Sequence, residues 1–342
     1  MDKKSIVLLK NENQLLPLNK SDQRIALIGA LANDNNSPLG NWRTNSDNKT
    51  AVTVLEGMKA YTDNKLIYSK GADVNLNDDG VVKFHEKVKI NDTDKSGFNA
   101  AKNAAKNADV VVMVLGEDGF QSGEGRSRTD IGIPGVQQEL LEEVYKVNKN
   151  IVLVLMNGRP LNINWADKNI PSIVEAWQLG TQTGNAVAQV LYGDYNPSGK
   201  LPMSFPRSVG QIPIYYNYKN TGRPGPSNTV FWSQYNDQLN TPLYPFGYGL
   251  SYTSFEYSNL KIDNKNLTVG NSINVSVDLK NTGNYTGKEV VQLYIKDRFA
   301  SVTRPVRELK GFEMISLNPC LLYTSPSPRD RGWSRMPSSA WK

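Results

Sequence analysis

A polar loop at residues 117–130 holds the side chains of this chain that are best suited to chemistry. Four carboxylates and two arginines lie there between glycines, namely Glu117, Asp118, Glu124, Asp130, Arg126 and Arg128. Positioned carboxylates can transfer protons, and arginines can hold carboxylates through charge-assisted hydrogen bonds. Acidic loops are also common as simple solvated turns, so composition alone leaves both interpretations open.

The loop directly follows an apolar run at residues 109–115. A β-branched run without alternation is typical of a parallel strand that is covered on both faces. In such sheets, ligands gather beyond the carboxyl ends of the strands. We therefore expect a functional site, if the chain has one, to lie in this loop.

Strand-like and helical segments alternate between residues 24 and 207. The predicted strands are 24–29, 109–115, 151–156 and 172–177, and the predicted helices are 54–61, 97–107, 134–148 and 184–192. This alternation indicates an α/β layer fold. In the third helix, an apolar stripe at Val136, Leu140, Leu141, Val144 and Val147 should lie on the sheet.

The composition and the hydrophobic pattern of the sequence change after the α/β region. Residues 201–258 are rich in Pro, Gly, Tyr and Asn, which favours a long connector packed on the domain, with its aromatic residues packing rather than binding. Beyond residue 258, alternating strands at 272–279 and 289–295 indicate the start of a β-sandwich.

Several motifs carry a resemblance to a known family. They are SIVLLKN at 5–11, LLPL at 15–18, RIALIG at 24–29, NGRPL at 157–161, GDYNPSGKLP at 193–202 and YPFGYGLSY at 244–252. Together they resemble the C-terminal part of glycoside hydrolase family 3, which contains β-glucosidases and β-xylosidases. The stretch 210–224 is most similar to periplasmic β-glucosidases of bacteria.

The resemblance implies a domain layout. It predicts an α/β sandwich domain at 5–207, an extended connector at 208–258 and an incomplete fibronectin type III-like β-sandwich at 259–319. Residues 320–342 turn abruptly rich in Ser, Pro and Arg and are similar to translated adapter or vector sequence, against the alternative of a natural disordered tail.

The resemblance also assigns chemistry. Retaining glycoside hydrolysis needs a nucleophile and an acid/base, two carboxyl groups about 5–5.5 Å apart. In the family, the nucleophilic aspartate lies in an N-terminal barrel, within a Ser-Asp-Trp-like motif that this chain does not contain. The best match to the family's acid/base is Glu124. We therefore expect a fragment that begins at the second domain, needs the missing barrel as its partner and is inactive alone.

Other side chains of the site receive weaker assignments. The resemblance places Trp42 beside the sugar that leaves, with plain packing as the alternative, and Arg128 is assigned to substrate binding. Glu117 leaves the strand directly and is expected to hold the loop by accepting hydrogen bonds. Arg126 is expected to clamp a carboxylate or to be solvated, and Asp130 to cap a helix.

Composition excludes several other classes of function. Residues 320–342 contribute +3 of the net charge of +6, so the basic balance does not indicate a nucleic-acid partner. His85 is the only histidine and has no Cys or His partner, so neither a metal cluster nor a Ser/His/Asp triad can be built around it, and no cofactor is expected. No apolar run is long enough to span a membrane.

The sequence thus predicts part of a retaining β-glucosidase that acts on an oligosaccharide or aryl β-glucoside. Two alternatives remain: a non-catalytic carbohydrate-binding or scaffold module, and a β-xylosidase of the same family. The resemblance suggests a periplasmic or secreted protein, although the start of the chain lacks the apolar core of a signal peptide.

Overall fold

A computed structural model of the protein describes residues 2–43, 46–77, 82–266 and 272–325. The chain divides into two units, each with its own core. The first contains the chain up to residue 216 together with residues 223–250. The second contains residues 217–222 and the chain from residue 251 onward.

The first unit alternates strands and helices. Its strands are β1 (Val7–Asn11), β2 (Arg24–Ile28), β3 (Lys65–Ser69), β4 (Val110–Gly116), β5 (Ile151–Met156) and β6 (Ser172–Glu175). Its helices are α1 (Asp2–Ser5), α2 (Val54–Lys59), α3 (Phe98–Lys106), α4 (Gln137–Val147), α5 (Asn164–Asn169) and α6 (Thr183–Leu191). The predicted α/β fold class is confirmed.

The six strands form one sheet in the order β1-β6-β5-β4-β2-β3. All neighbours are parallel except β1, which runs antiparallel to β6 at the edge. Every residue of the central strands β4 and β5 is buried, as expected for strands covered on both faces. The carboxyl ends of β4, β5 and β6 therefore meet at one edge of the sheet.

Helix α4 packs on the sheet through the predicted apolar stripe. Leu140, Leu141 and Val144 are buried in the main core cluster, together with Val136 just before the helix. Val147 at the last turn is 40% exposed, so the stripe ends one turn earlier than predicted.

The connector between residues 208 and 250 has little regular structure apart from a short 3-10 turn at Val209–Gln211. Tyr216 stacks on Phe246 with ring centres 4.2 Å apart. Other aromatic residues of the connector are exposed instead, so the expectation that they pack is wrong for Tyr215, Tyr218, Phe231, Trp232 and Tyr235.

The second unit is built from antiparallel strands. They are β7 (Phe255–Ile262), β8 (Val275–Asn281), β9 (Gly287–Ile295), β10 (Glu308–Leu317) and β11 (Leu322–Ser325). One sheet pairs β10 with β9, and the other has the order β11-β8-β7. A small cluster of Leu279, Ile315 and Leu317 forms the buried core.

Strand β11 lies inside residues 320–342, the segment predicted to be adapter or vector sequence or a natural disordered tail. It pairs with β8 from Leu322 opposite Lys280 to Ser325 opposite Val277. The rest of that segment, residues 326–342, lies outside the described residues. Within the described chain, no helix combines the length and the apolar character that crossing a bilayer requires.

Candidate functional site

Three polar side chains lie where neighbouring parallel strands end. β4 leads into Glu117, β5 leads into Asn157, and β6 ends with Glu175. All three are at most 1% exposed. Because these strands are adjacent and parallel, their carboxyl ends form one buried polar row beneath the loop that follows β4.

Glu117 is held by two arginines and one main-chain N–H group. Nη1 of Arg128 lies 2.8 Å from Oε1 of Glu117, and Nε of Arg159 lies 3.0 Å from the same oxygen. The N–H of Gly158 donates to Oε2 at 3.2 Å. A carboxylate bonded on both oxygens in this way anchors the loop, which is the role that its position predicted.

Arg128 connects the two ends of the loop. While Nη1 pairs with Glu117, Nη2 donates to the carbonyl oxygen of Gly132 at 3.1 Å. Its side chain is 20% exposed. Both terminal nitrogens of Arg128 therefore donate inside the loop, and contact with a substrate stays a prediction.

Asp118 is a second buried carboxyl group, and its oxygens accept hydrogen bonds from other residues of the protein. Its Oδ1 accepts the N–H of Phe120 at 2.8 Å, and its Oδ2 accepts Nδ2 of Asn75 at 2.9 Å. Burial raises its pKa above the ordinary value of an aspartate. These bonds fix the first turn of the loop, and they leave little room for a ligand.

Glu124 differs from these carboxylates because it is exposed. It lies in a β-turn that closes with a hydrogen bond of 3.2 Å from the N–H of Arg126 to the carbonyl oxygen of Gly123. Gly123 has φ +115° and Gly125 has φ +68°. Only glycine adopts such torsions without strain, so both glycines are needed to present Glu124 at the tip of the turn.

Trp42 lies close to the same turn. Nδ2 of the preceding residue, Asn41, donates to the carbonyl oxygen of Ser122 at 3.0 Å. A Cβ atom on Gly123 would lie 2.1 Å from that nitrogen, so the two segments are in close contact. Trp42 itself is 68% exposed. The structure thus brings the segments that carry Trp42 and Glu124 together.

Among the described residues, Arg126 binds main-chain carbonyl groups and no carboxylate, so the expectation of a carboxylate clamp is wrong. It donates from Nη1 to the carbonyl oxygen of Glu86 at 2.7 Å and from Nη2 to that of Phe84 at 2.6 Å. Its guanidinium carbon also lies 5.8 Å from the ring centre of Phe120. Arg126 therefore joins the loop to the segment before α3, a contact that spacing along the sequence does not reveal.

Asp130 does not cap a helix either. Its Oδ1 accepts the N–H of Gly132 at 2.8 Å, which makes a local turn. Helix α4 begins only at Gln137, and the residue before it makes no side-chain cap. The expected capping role failed because three residues of turn, with φ +64° at Gly135, delay the helix.

Glu175 and Asn157 were not identified from the sequence. Glu175 accepts the N–H of Trp177 at 2.8 Å and Nδ2 of Asn157 at 3.2 Å. Burial raises the pKa of Glu175 well above its ordinary value, and the nearby Glu117 adds to the shift. Asn157 directly follows the predicted strand at 151–156, so the rule that drew attention to Glu117 applies to it. Glu175 lies inside the predicted strand at 172–177, and the rule does not identify it until β6 is seen to end there.

The remaining titratable groups do not form a metal centre in the part of the chain that the structure describes. No set of three or more His, Cys, Asp or Glu side chains there is arranged to hold an ion. His85 is exposed, with its ring edge-on to Phe84 at 5.5 Å.

Comparison with known families identifies both units. Residues 6–252 match a profile described as the glycosyl hydrolase family 3 C-terminal domain. Residues 289–320 match one described as a fibronectin type III-like domain.

Among curated proteins, the chain is similar to a periplasmic β-glucosidase of Salmonella typhimurium, with 47% identity over 93% of this chain and 42% of that protein. A β-xylosidase of Formosa agariphila is 42% identical over 92% of this chain and 42% of its own length. The chain thus spans about two fifths of these relatives.

A solved structure shares the fold. The crystal structure of a β-glucosidase from Listeria innocua in complex with isofagomine matches with a TM-score of 0.84 and 37% identity. The match covers 95% of this chain and 43% of that one.

Proposed function

Because this chain belongs to glycoside hydrolase family 3, we propose that it is the C-terminal part of a retaining β-glucosidase and that Glu124 is the acid/base. The nucleophile would come from the barrel that precedes this part in the family. The relatives named above include a β-glucosidase and a β-xylosidase, which supports hydrolysis of a β-linked sugar.

The observation that carries the proposal is the exposure of Glu124 at the tip of a braced turn. Asp130 is also exposed, but its carboxylate closes a local turn by accepting the N–H of Gly132. The remaining carboxyl groups at this edge, Glu117, Asp118 and Glu175, are all buried and hydrogen-bonded within the protein. They cannot reach the glycosidic oxygen of a substrate outside the loop. Glu124 can, because its turn projects it away from the sheet.

The mechanism follows from the chemistry of retention. A nucleophilic carboxylate attacks the anomeric carbon while Glu124 protonates the departing glycosidic oxygen. Glu124 then takes a proton from the water that releases the sugar. A general acid holds its proton near neutral pH when it is shielded from water or faces another negative charge, and the barrel would supply both conditions.

Two further residues support substrate binding. Trp42 offers an exposed aromatic face beside the Glu124 turn, suited to stacking on the apolar face of a sugar. Arg128 would meet sugar hydroxyls only through the fifth of its side chain that remains exposed. The resemblance to the Salmonella protein favours a periplasmic or secreted location.

The test joins this chain in frame behind the N-terminal part of the Salmonella relative and follows hydrolysis of aryl β-glucosides and aryl β-xylosides. We expect the fusion to be active, the chain alone to be inactive, and Glu124→Gln to lower activity about 10²- to 10⁴-fold. Glu256→Gln, which changes an exposed glutamate on β7, serves as the matched control.

Each outcome of this assay is informative. An active fusion whose activity survives Glu124→Gln would remove Glu124 from the mechanism. A folded fusion without any activity would favour the non-catalytic module. Faster hydrolysis of the xyloside would support the same mechanism and indicate a β-xylosidase instead of a β-glucosidase.

A further inference from the structure

Arg159 comes three residues after β5 and reaches the loop after β4 at three points. Nε lies 3.0 Å from Oε1 of Glu117. Nη2 donates to the carbonyl oxygen of Arg126 at 2.8 Å and also to that of Gln121. One guanidinium group in the bend after β5 therefore contacts the start of the loop and both ends of the segment 121–126.

Glu124 lies between the two carbonyl groups that Arg159 holds. The turn around it contains Gly123 and Gly125, which lack the steric restriction of other residues. Such a turn needs support from outside to keep one conformation. By fixing the carbonyl groups of Gln121 and Arg126, Arg159 restricts where the carboxylate of Glu124 can point.

The charge of Arg159 is satisfied within the protein. Glu117 provides its counter-ion, and the side chain of Arg159 is only 21% exposed. Its donors point at the loop, so the residue is poorly placed to bind a ligand directly. Its effect on a reaction must pass through the loop.

We propose that Arg159 is a positioning residue that sets the orientation of Glu124 for proton transfer. This inference rests on the proposed function of Glu124. It also gives a physical reason for the arginine of the NGRPL motif at 157–161.

A positioning role predicts a loss of activity that depends on the leaving group. Protonation is needed for a poor leaving group and hardly at all for 2,4-dinitrophenolate. Misplacing a catalytic group by about 1 Å can cost about 10²-fold. In the fusion, we expect Arg159→Met to lower kcat/KM about 10- to 100-fold for phenyl β-glucoside but less than about 3-fold for the dinitrophenyl substrate.

Two further variants make the comparison specific. Arg159→Lys keeps the charge near Glu117 but lacks the geometry to hold all three points, so a smaller loss with the same selectivity is expected. Arg24→Met is the matched control, because Arg24 pairs with Asp109 at the opposite end of β4. It should leave the ratio between the two substrates unchanged.

Hydrogen exchange on the isolated chain provides a second readout. Amides in a peptide covering residues 121–126 should exchange faster in Arg159→Lys than in the unaltered chain, whereas amides of β4 and β5 should not change. This measurement distinguishes a loosened turn from a general loss of folding. If Arg159→Met does not fold, Arg159→Lys alone is used for both measurements.

The inference is overturned if the Arg159 variants lose activity equally on both substrates, or if exchange at 121–126 is unchanged. Either result would mean that Arg159 only stabilises the fold or has no role. A failure of the proposed function looks different, because Glu124→Gln would then show no dependence on the leaving group. In that case Arg159 could not orient an acid/base, and the catalytic part of this inference would be wrong as well.

Discussion

At the scale of single residues, Glu117 and Glu175 are two buried carboxyl groups with different hydrogen-bond partners. Glu117 has Arg128 and Arg159 as counter-ions. Glu175 accepts hydrogen bonds only from neutral groups in the described part of the chain, namely Trp177 N–H and the amide of Asn157. Burial without a cation raises the pKa of Glu175.

We predict that Glu117→Gln destabilises the first unit markedly. The change removes the counter-ion of two arginines and leaves them facing a neutral amide. Breaking a buried ion pair from one side costs about 3–5 kcal/mol, and the lower end applies because each arginine keeps about a fifth of its side chain in water. Urea unfolding followed by circular dichroism measures the change in the free energy of unfolding.

The control for this prediction is Asp109→Asn. Asp109 pairs with Arg24 at 2.5 Å, but both side chains are largely exposed, so their pairing is screened by water. We expect a much smaller change in stability. Equal changes in the free energy of unfolding would show that burial of Glu117 adds little to the strength of its ion pairs.

We predict that Glu175→Gln changes how stability depends on pH. In the unfolded chain, the carboxyl group titrates at its ordinary value of about 4.3. The folded pKa is raised, so between the two values the folded state keeps a proton that the unfolded state has lost. Stability from this group is therefore complete below about pH 4.3 and is lost as pH rises toward the folded pKa.

Glutamine mimics the neutral acid and has no proton to lose. The variant should gain stability relative to the unaltered chain as pH rises from about 4 to 7. Urea unfolding of both proteins across this range measures the difference and cancels the titration of all other groups. A difference that is flat with pH would mean that Glu175 is ionised in the fold.

At the scale of elements, α2 and α6 approach so closely that glycine is required. A Cβ atom on Gly184 would lie 1.9 Å from the carbonyl oxygen of Thr53, the N-cap residue of α2. Helix propensity alone favours alanine at such a position by about 0.5–1 kcal/mol. Overpacking against main-chain atoms costs about 1–3 kcal/mol. This steric cost should exceed the gain in helix propensity.

We therefore predict that Gly184→Ala lowers the free energy of unfolding by about 1–2 kcal/mol, contrary to its helix propensity. Gly210→Ala is the matched control, because the nearest atom to its Cβ would be Oγ of Ser208 at 3.7 Å. Thermal unfolding of both variants makes the comparison. A stabilised Gly184→Ala protein would show that the two helices can separate without loss.

The sequence predicted the buried elements better than the edges. The strand at 151–156 was predicted with the bounds of β5, because a wholly apolar run leaves little ambiguity. β3 (Lys65–Ser69) at the edge of the sheet was missed, since its residues are half-buried and mixed in character. The strand at 172–177 was predicted too long, because Trp177 adopts φ +54° and cannot extend β6.

The site was predictable only in part, for a similar reason. Position after a strand identified the loop and the anchoring role of Glu117. The partners of that anchor, Arg128 and Arg159, are 11 and 42 residues away along the chain. The Arg159 pair depends on the register of β4 and β5, and the Arg128 pair depends on the path of the loop. Local periodicity encodes neither.

At the scale of the whole molecule, the two units differ in how much apolar surface they bury. β4 and β5 in the first unit are buried along their full length. In the second unit, β7 has exposed apolar residues such as Leu260 at 69%. Small cores supply little net stability, so the second unit should open first.

We predict that hydrogen exchange will separate the two units as urea is added. Amides of β9 and β10, which rest on the small cluster of Leu279, Ile315 and Leu317, should become exchangeable at a lower urea concentration than those of β4 and β5. Exchange followed by mass spectrometry on peptides from all four strands makes the measurement within one protein, so β4 and β5 serve as the internal control. If all four strands lose protection at the same urea concentration, the chain unfolds in one cooperative step, and the difference in core size does not set the order of opening.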